Sequence, residues 1–91
     1  MPTFVIERNI PGAAELTSAQ LRKIAETSNE AVAGLGVAYT WHHSYVAGDK
    51  FYCVHETDDA DTVLEHARRG GFPADAVVEV AVVIGPETAA A

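Results

Sequence analysis

Hydrophobic and polar residues alternate along three stretches of the chain, which is the pattern of half-buried β-strands. The alternation predicts a first strand over 3–8 and two further strands over 39–47 and 50–56. A short Gly-Asp turn joins the second strand to the third, so these two are predicted to form a hairpin. A fourth strand is predicted over 77–84, where nearly every residue is Val, Ala or Ile.

Apolar residues recur at helical spacing in the two segments that separate these strands. Thr17 followed by Gln20 forms a capping-box pattern, which predicts a helix over about 18–33. A second helix is predicted after the acidic pair at 58–59, either residue of which can cap it, and it is expected to end at the glycine pair 70–71.

The order strand, helix, strand, strand, helix, strand is that of an α+β, ferredoxin-like βαββαβ domain. In this fold two helices cover one face of a four-stranded antiparallel sheet. A chain of 91 residues with 48% hydrophobic residues is expected to form one such domain over 1–91, with a frayed tail from about residue 87.

The second face of the sheet is then left without cover. We assign to this bare face a mixed, partly apolar set of residues: Val5, Glu7, Glu79, Ala81 and Val83. An apolar patch of this kind is usually buried against a partner, and a second copy of the chain is the simplest partner. The sequence therefore predicts a homodimer that packs sheet against sheet.

Composition narrows the possible partners. A formal charge of −7 disfavours nucleic acid and anionic membrane surfaces and favours cations. No apolar run is long enough to span a bilayer, and the first residues lack the pattern of a signal peptide, so we expect a cytoplasmic protein. Cys53 is the single cysteine, which excludes a disulfide within the chain and leaves a metal or a partner chain as sources of extra stability.

The four histidines are the candidate metal ligands. The predicted hairpin places His42 opposite His55 and His43 opposite Val54, so that His42 and His43 point to opposite faces. Two histidines opposed across strands are a plausible half of a site for nickel, zinc or copper, although neighbouring histidines on a strand are more often surface or interface residues. We expect His43 to face the dimer interface and His42 to lie on the helix-covered face with His55.

Two further candidates lie outside the hairpin. His66 is at the edge of the apolar stripe of the second helix, where a hydrogen bond to a carbonyl or carboxylate is the more common role. Glu7 is on the predicted bare face, where it is either solvated or, within an interface, paired with a cation. No phosphate loop, nucleophile elbow or catalytic set is present, so an enzyme is not expected.

The chain also resembles a known family in five parts of its sequence. These are Phe4 to Arg8 followed by Ile10 to Gly12, Trp41 with His43 to Val46, Tyr52 to Val54, Glu65 to Ala67 and Gly71 to Pro73. These runs are similar to those of small actinobacterial nickel-binding, nickel-responsive proteins that were first described as a domain of unknown function. The resemblance extends from Thr3 to about Pro86.

The resemblance implies a ferredoxin-like subunit, a homodimer of barrel-like form and nickel bound by histidine, carboxylate and water. It favours His43 and His66 as ligands, with Glu7 as a carboxylate candidate. His42 and His55 depart from the family pattern, which leaves open whether the site is the family's, enlarged or shifted.

Two functions follow from these observations. The leading hypothesis is a nickel-binding homodimer that stores, buffers or sequesters the ion. The alternative is a dimeric α/β-barrel enzyme or small-molecule binder that uses the space between the two sheets, with Tyr45, Tyr52 and His43 as polar groups, and it depends on fold analogy alone.

Overall fold

The structure is a computed structural model and describes residues 1–90. Its elements in chain order are β1 (Thr3–Asn9), a 3-10 turn (Ala13–Glu15), α1 (Ser18–Gly34), β2 (Tyr39–Ala47), β3 (Lys50–Thr57), α2 (Ala60–Gly70), β4 (Ala76–Glu79) and a second 3-10 turn (Pro86–Ala90). The four strands form one antiparallel sheet in the order β2-β3-β1-β4. The α+β ferredoxin-like fold predicted from the sequence is therefore confirmed.

The core lies between the helices and one face of the sheet. Every second residue of β3, from Phe51 to Thr57, is buried, and β1 shows the same alternation. Val63 of α2 is fully buried against this face, which identifies it as the helix-covered face. The buried residues that form the hydrophobic core are Phe4, Ile6, Ala13, Phe51, Cys53 and Val63.

Both helices begin at the residues that the sequence indicates. The Thr17 hydroxyl accepts from the backbone N–H of Gln20, and the Gln20 side chain accepts from the N–H of Thr17 at 2.9 Å. Asp59 caps α2 by accepting from the N–H of Thr62 at 2.8 Å. Gly71 ends α2 with a left-handed φ of 71°, which glycine adopts without steric cost. Within residues 1–90, neither helix combines the length and the apolarity needed to cross a membrane.

The fourth strand is shorter than predicted, because it ends at Glu79 and not at Ile84. Its single neighbour in the sheet is β1, which begins at Thr3. The N–H of Val80 still donates to the Thr3 carbonyl at 2.8 Å, but the chain beyond it has no strand left to pair with. The apolar segment 81–84 consequently extends past the sheet, and Val83 is 85% exposed.

The tail predicted from about residue 87 lies almost entirely within a short 3-10 turn, Pro86–Ala90. The N–H of Gly85 donates to the Thr88 hydroxyl at 2.9 Å. Ala91, the last residue of that predicted tail, lies outside the described residues.

The bare face carries a continuous row of side chains across all four strands. His43 pairs with Val54, Val54 with Val5, and Val5 with Val78, which is 59% exposed. Glu79, which was expected on this face, instead pairs with Phe4 on the opposite face. The prediction was wrong because the side chains of β4 alternate one residue out of step with it. Val78, and not Glu79, therefore lies on the bare face.

Candidate metal centre

A β-bulge in β2 decides where its two adjacent histidines point. Trp41 pairs with His55 and His43 pairs with Val54, so His42 is an extra residue between two consecutive pairs. A bulge of this kind breaks the alternation of side chains between the two faces. From His43 to the turn the register is as predicted, but the predicted pairing of His42 with His55 is wrong.

Because of the bulge, His42 and His43 both lie on the bare face. The His42 Nε2 atom is 2.8 Å from Glu56 Oε1, and Glu56 is on the bare face with Val54, two residues before it. His43 packs edge-on against Tyr45, with ring centroids 5.0 Å apart. Both members of the His42–Glu56 pair are partly exposed, at 40% and 32% of their side chains. Two imidazoles and one carboxylate thus lie on this face, and the His42 imidazole is hydrogen-bonded to the carboxylate.

Glu7 is on the same face but in a different row from His43. It pairs with Tyr52, which in turn pairs with Tyr45. Its carboxylate accepts from Lys50 Nζ at 3.2 Å, an ion pair at the rim of the sheet. Glu7 and His43 are therefore not brought into contact within one chain.

His55 and His66 lie together on the helix-covered face, and each is only 1% exposed. Their ring centroids are 4.9 Å apart and their planes are nearly perpendicular. The Tyr39 hydroxyl is hydrogen-bonded to His55 Nδ1, and the Ser28 hydroxyl is 3.1 Å from His66 Nε2. His66 Nδ1 is buried and has no hydrogen-bond partner in residues 1–90.

Burial keeps these side chains neutral. Desolvation, with smaller contributions from His66, Arg8 and His42, lowers the pKa of His55 from 6.5 to about 3. Desolvation and the Arg8 charge also lower the pKa of His66. The pKa of Tyr39 is raised, again chiefly by desolvation. The pair is therefore a neutral, hydrogen-bonded part of the core.

The structure thus separates the five predicted ligands. It brings His42 and His43 together, places Glu7 on the same face with Lys50, and puts His55 and His66 on the other side of the sheet. Among residues 1–90, no three His, Cys, Asp or Glu side chains are grouped closely enough to hold a metal ion.

Sequence reasoning missed two residues near these groups. Glu56, the partner of His42, could not be read from the alternation because the bulge was not apparent. Arg8 lies beside the buried histidines, and its alternation with Phe4 and Ile6 was a sufficient signal that it points into the core.

The fold and the surface histidines define a small ferredoxin-like α+β protein with candidate metal ligands on its uncovered sheet face. The chain belongs to the family of SCO4226-like nickel-responsive proteins, whose family model matches residues 4–80. Its structure is similar to the crystal structure of SCO4226 from Streptomyces coelicolor A3(2), with a TM-score of 0.73 and 22% sequence identity over 90% of this chain and 99% of that one. A comparison with curated proteins gave no match.

Proposed function

We propose that this protein is a non-enzymatic nickel-binding protein that acts as a homodimer and stores, buffers or sequesters the ion. The observation that carries the proposal is the bulge in β2, which puts His42 and His43 on the bare face and pairs His42 with Glu56. Membership of a nickel-responsive family supports the choice of metal.

The chemistry of these side chains suits nickel. Imidazole is a good ligand for divalent nickel, and a carboxylate hydrogen-bonded to an imidazole orients its ring, or can itself bind the ion. The formal charge of −7 adds an attraction for cations that does not depend on the site. His42 is partly exposed and already held by Glu56, so it can take up a metal without disturbing the core.

A second copy of the chain would supply the remaining ligands, together with water. The row of Val54, Val5 and Val78 gives the bare face an apolar centre. A symmetric sheet-to-sheet dimer buries this surface and brings the histidines of each chain to the partner's face. In that assembly Glu7 is a further ligand candidate if it releases Lys50.

His55 and His66 are not part of the proposed site. Their rings are enclosed in the core, and the Arg8 guanidinium lies close enough to lower the pKa of both. A divalent cation at that position would meet the repulsion of a buried positive charge. We therefore propose His42 and His43, and not the buried pair, as the imidazole ligands.

Nickel titration of the protein without a histidine tag tests this function. Calorimetry and metal analysis after dialysis are expected to show saturable binding, and His42→Ala and His43→Ala are each expected to weaken it by about tenfold or more. Glu56→Gln should also weaken binding, whereas Glu26→Gln, which removes an exposed carboxylate of α1, serves as the matched control. Absence of bound nickel in the wild type would refute the proposal.

A further inference from the structure

Arg8 is buried in the core without a carboxylate beside it. Arg8 is only 2% exposed, and none of the ion pairs found in residues 1–90 includes its guanidinium. Arginine keeps its charge in proteins, and an unpaired buried charge is costly. The structure therefore contains a desolvated positive charge that lacks a negative partner within the described chain.

The contacts of Arg8 are all with neutral groups. Its Nε atom donates to Cys53 Sγ at 3.4 Å and its Nη1 atom donates to the Pro73 carbonyl at 2.5 Å. The guanidinium carbon lies 5.5 Å from the centre of the Phe72 ring. A guanidinium carries five N–H donors, and two of them have protein acceptors here. For the other three, residues 1–90 provide no recorded acceptor.

A cavity of about 60 Å³ lies next to Arg8, between the sheet and the helices. Its walls are mostly apolar, with Trp41, Ile24 and Phe72 among them. The polar groups that line it besides Arg8 are Ser28, Cys53, His55 and His66. A cavity of this size has room for a few water molecules or for a small polyatomic ion.

The charges around the cavity select the sign of its occupant. Arg8 is the one permanently charged side chain among the lining residues that the structure describes, because both histidines are neutral at physiological pH. One positive charge in a space of low polarity disfavours a metal ion and favours a single negative charge. His66 Nδ1, which lacks a partner, can donate a further hydrogen bond in the tautomer that carries its proton.

We propose that this cavity is a binding site for a small planar monovalent anion, such as acetate, bicarbonate or nitrate. The flat fork of the guanidinium matches two oxygen atoms in one plane, which a spherical ion cannot offer. A tetrahedral dianion would bring a second negative charge that the single guanidinium does not balance. This site is separate from the proposed nickel site, which lies on the opposite face of the sheet.

Nitrogen-15 NMR of the metal-free protein tests the proposal, with any chelator removed because chelators carry carboxylates. Trp41 is the single tryptophan and lines the cavity, so its indole N–H gives one assigned signal at the site. Separate titrations with sodium acetate, sodium nitrate and sodium chloride use the same total ionic strength. Acetate and nitrate are expected to shift this signal and the Arg8 Nε–H signal saturably, with a Kd in the millimolar range. Affinity is expected to be weak because a ligand of about four non-hydrogen atoms makes few contacts.

Two variants locate the binding. Arg8→Lys keeps the charge but removes the fork, and it should weaken acetate binding by at least about tenfold. Arg22→Lys makes the same change at an exposed position of α1 and should leave binding unaltered. If Arg8→Lys does not fold, the Arg8 Nε–H shift in the wild type still decides the question. Absence of a saturable shift, or an equal response to chloride, would overturn the proposal.

Discussion

The buried histidines make the stability of the fold depend on pH between about 7 and 5. His55 has a pKa of about 3 in the folded chain and 6.5 as its ordinary value, and the pKa of His66 is lowered in the same direction. The unfolded chain therefore binds protons in this range that the folded chain does not. The free energy of unfolding is therefore unaffected by these two histidines above about pH 6.5, and it decreases as the pH falls toward their pKa in the folded chain.

The size of the effect follows from the pKa difference. Each pH unit below 6.5 costs about 1.4 kcal/mol for one such histidine, so His55 alone accounts for about 2 kcal/mol at pH 5. For a chain of 91 residues, 1 kcal/mol corresponds to a shift in Tm of about 4–8 °C. We therefore expect Tm to fall by about 8–16 °C between pH 7.5 and pH 5, and His66 adds to this loss.

Calorimetry of the metal-free protein at one fixed concentration measures this dependence. His55→Gln removes the titrating group and is expected to flatten the slope of stability against pH, whatever it does to stability itself. His43→Ala removes an exposed histidine and should keep the full slope. A Tm that stays constant from pH 7.5 to about pH 5 would show that the two imidazoles are not held neutral in the core.

Two further predictions concern the assembly and the helix start. Val78→Lys puts a charge into the apolar row of the bare face, so it should shift sedimentation of the protein at micromolar concentration from dimer toward monomer. Lys23→Glu on α1 should leave sedimentation unchanged, and a wild type that is monomeric at this concentration would contradict the dimer. Thr17→Ala removes the capping box of α1 and should cost about 1 kcal/mol in urea unfolding, against little change for Ser18→Ala, and equal effects of the two would refute the capping role.

The main elements could be predicted because each depends on local pattern. The alternation of β3 and the Thr17–Gln20 pair placed their elements correctly, since side-chain period and capping chemistry are properties of neighbouring residues. The end of β4 could not be predicted from local pattern. Its residues have strand composition up to Ile84, but pairing stops where β1 begins, and that limit depends on a partner strand far away in sequence.

The candidate site was predicted in part for the same reason. The register of the hairpin near its turn followed from the turn itself, and it placed His43 correctly opposite Val54. The bulge at His42 lies beyond that local control. It reverses the face of His42 and of the β2 residues before it, so that Trp41 pairs with His55 on the helix-covered face. The association of His55 with His66 joins β3 to α2, and only the packing of the helix on the sheet brings them together.

The most direct test of the proposed nickel site is an NMR titration of the histidine side chains with nickel, which is paramagnetic in octahedral sites of nitrogen and oxygen ligands and broadens the signals of nearby nuclei. At low ratios of nickel to protein, the ring signals of His42 and His43 are predicted to disappear first, while those of His55 and His66 persist. Early loss of the His55 and His66 signals, with His42 and His43 unaffected, would contradict the assignment of the site to the bare face.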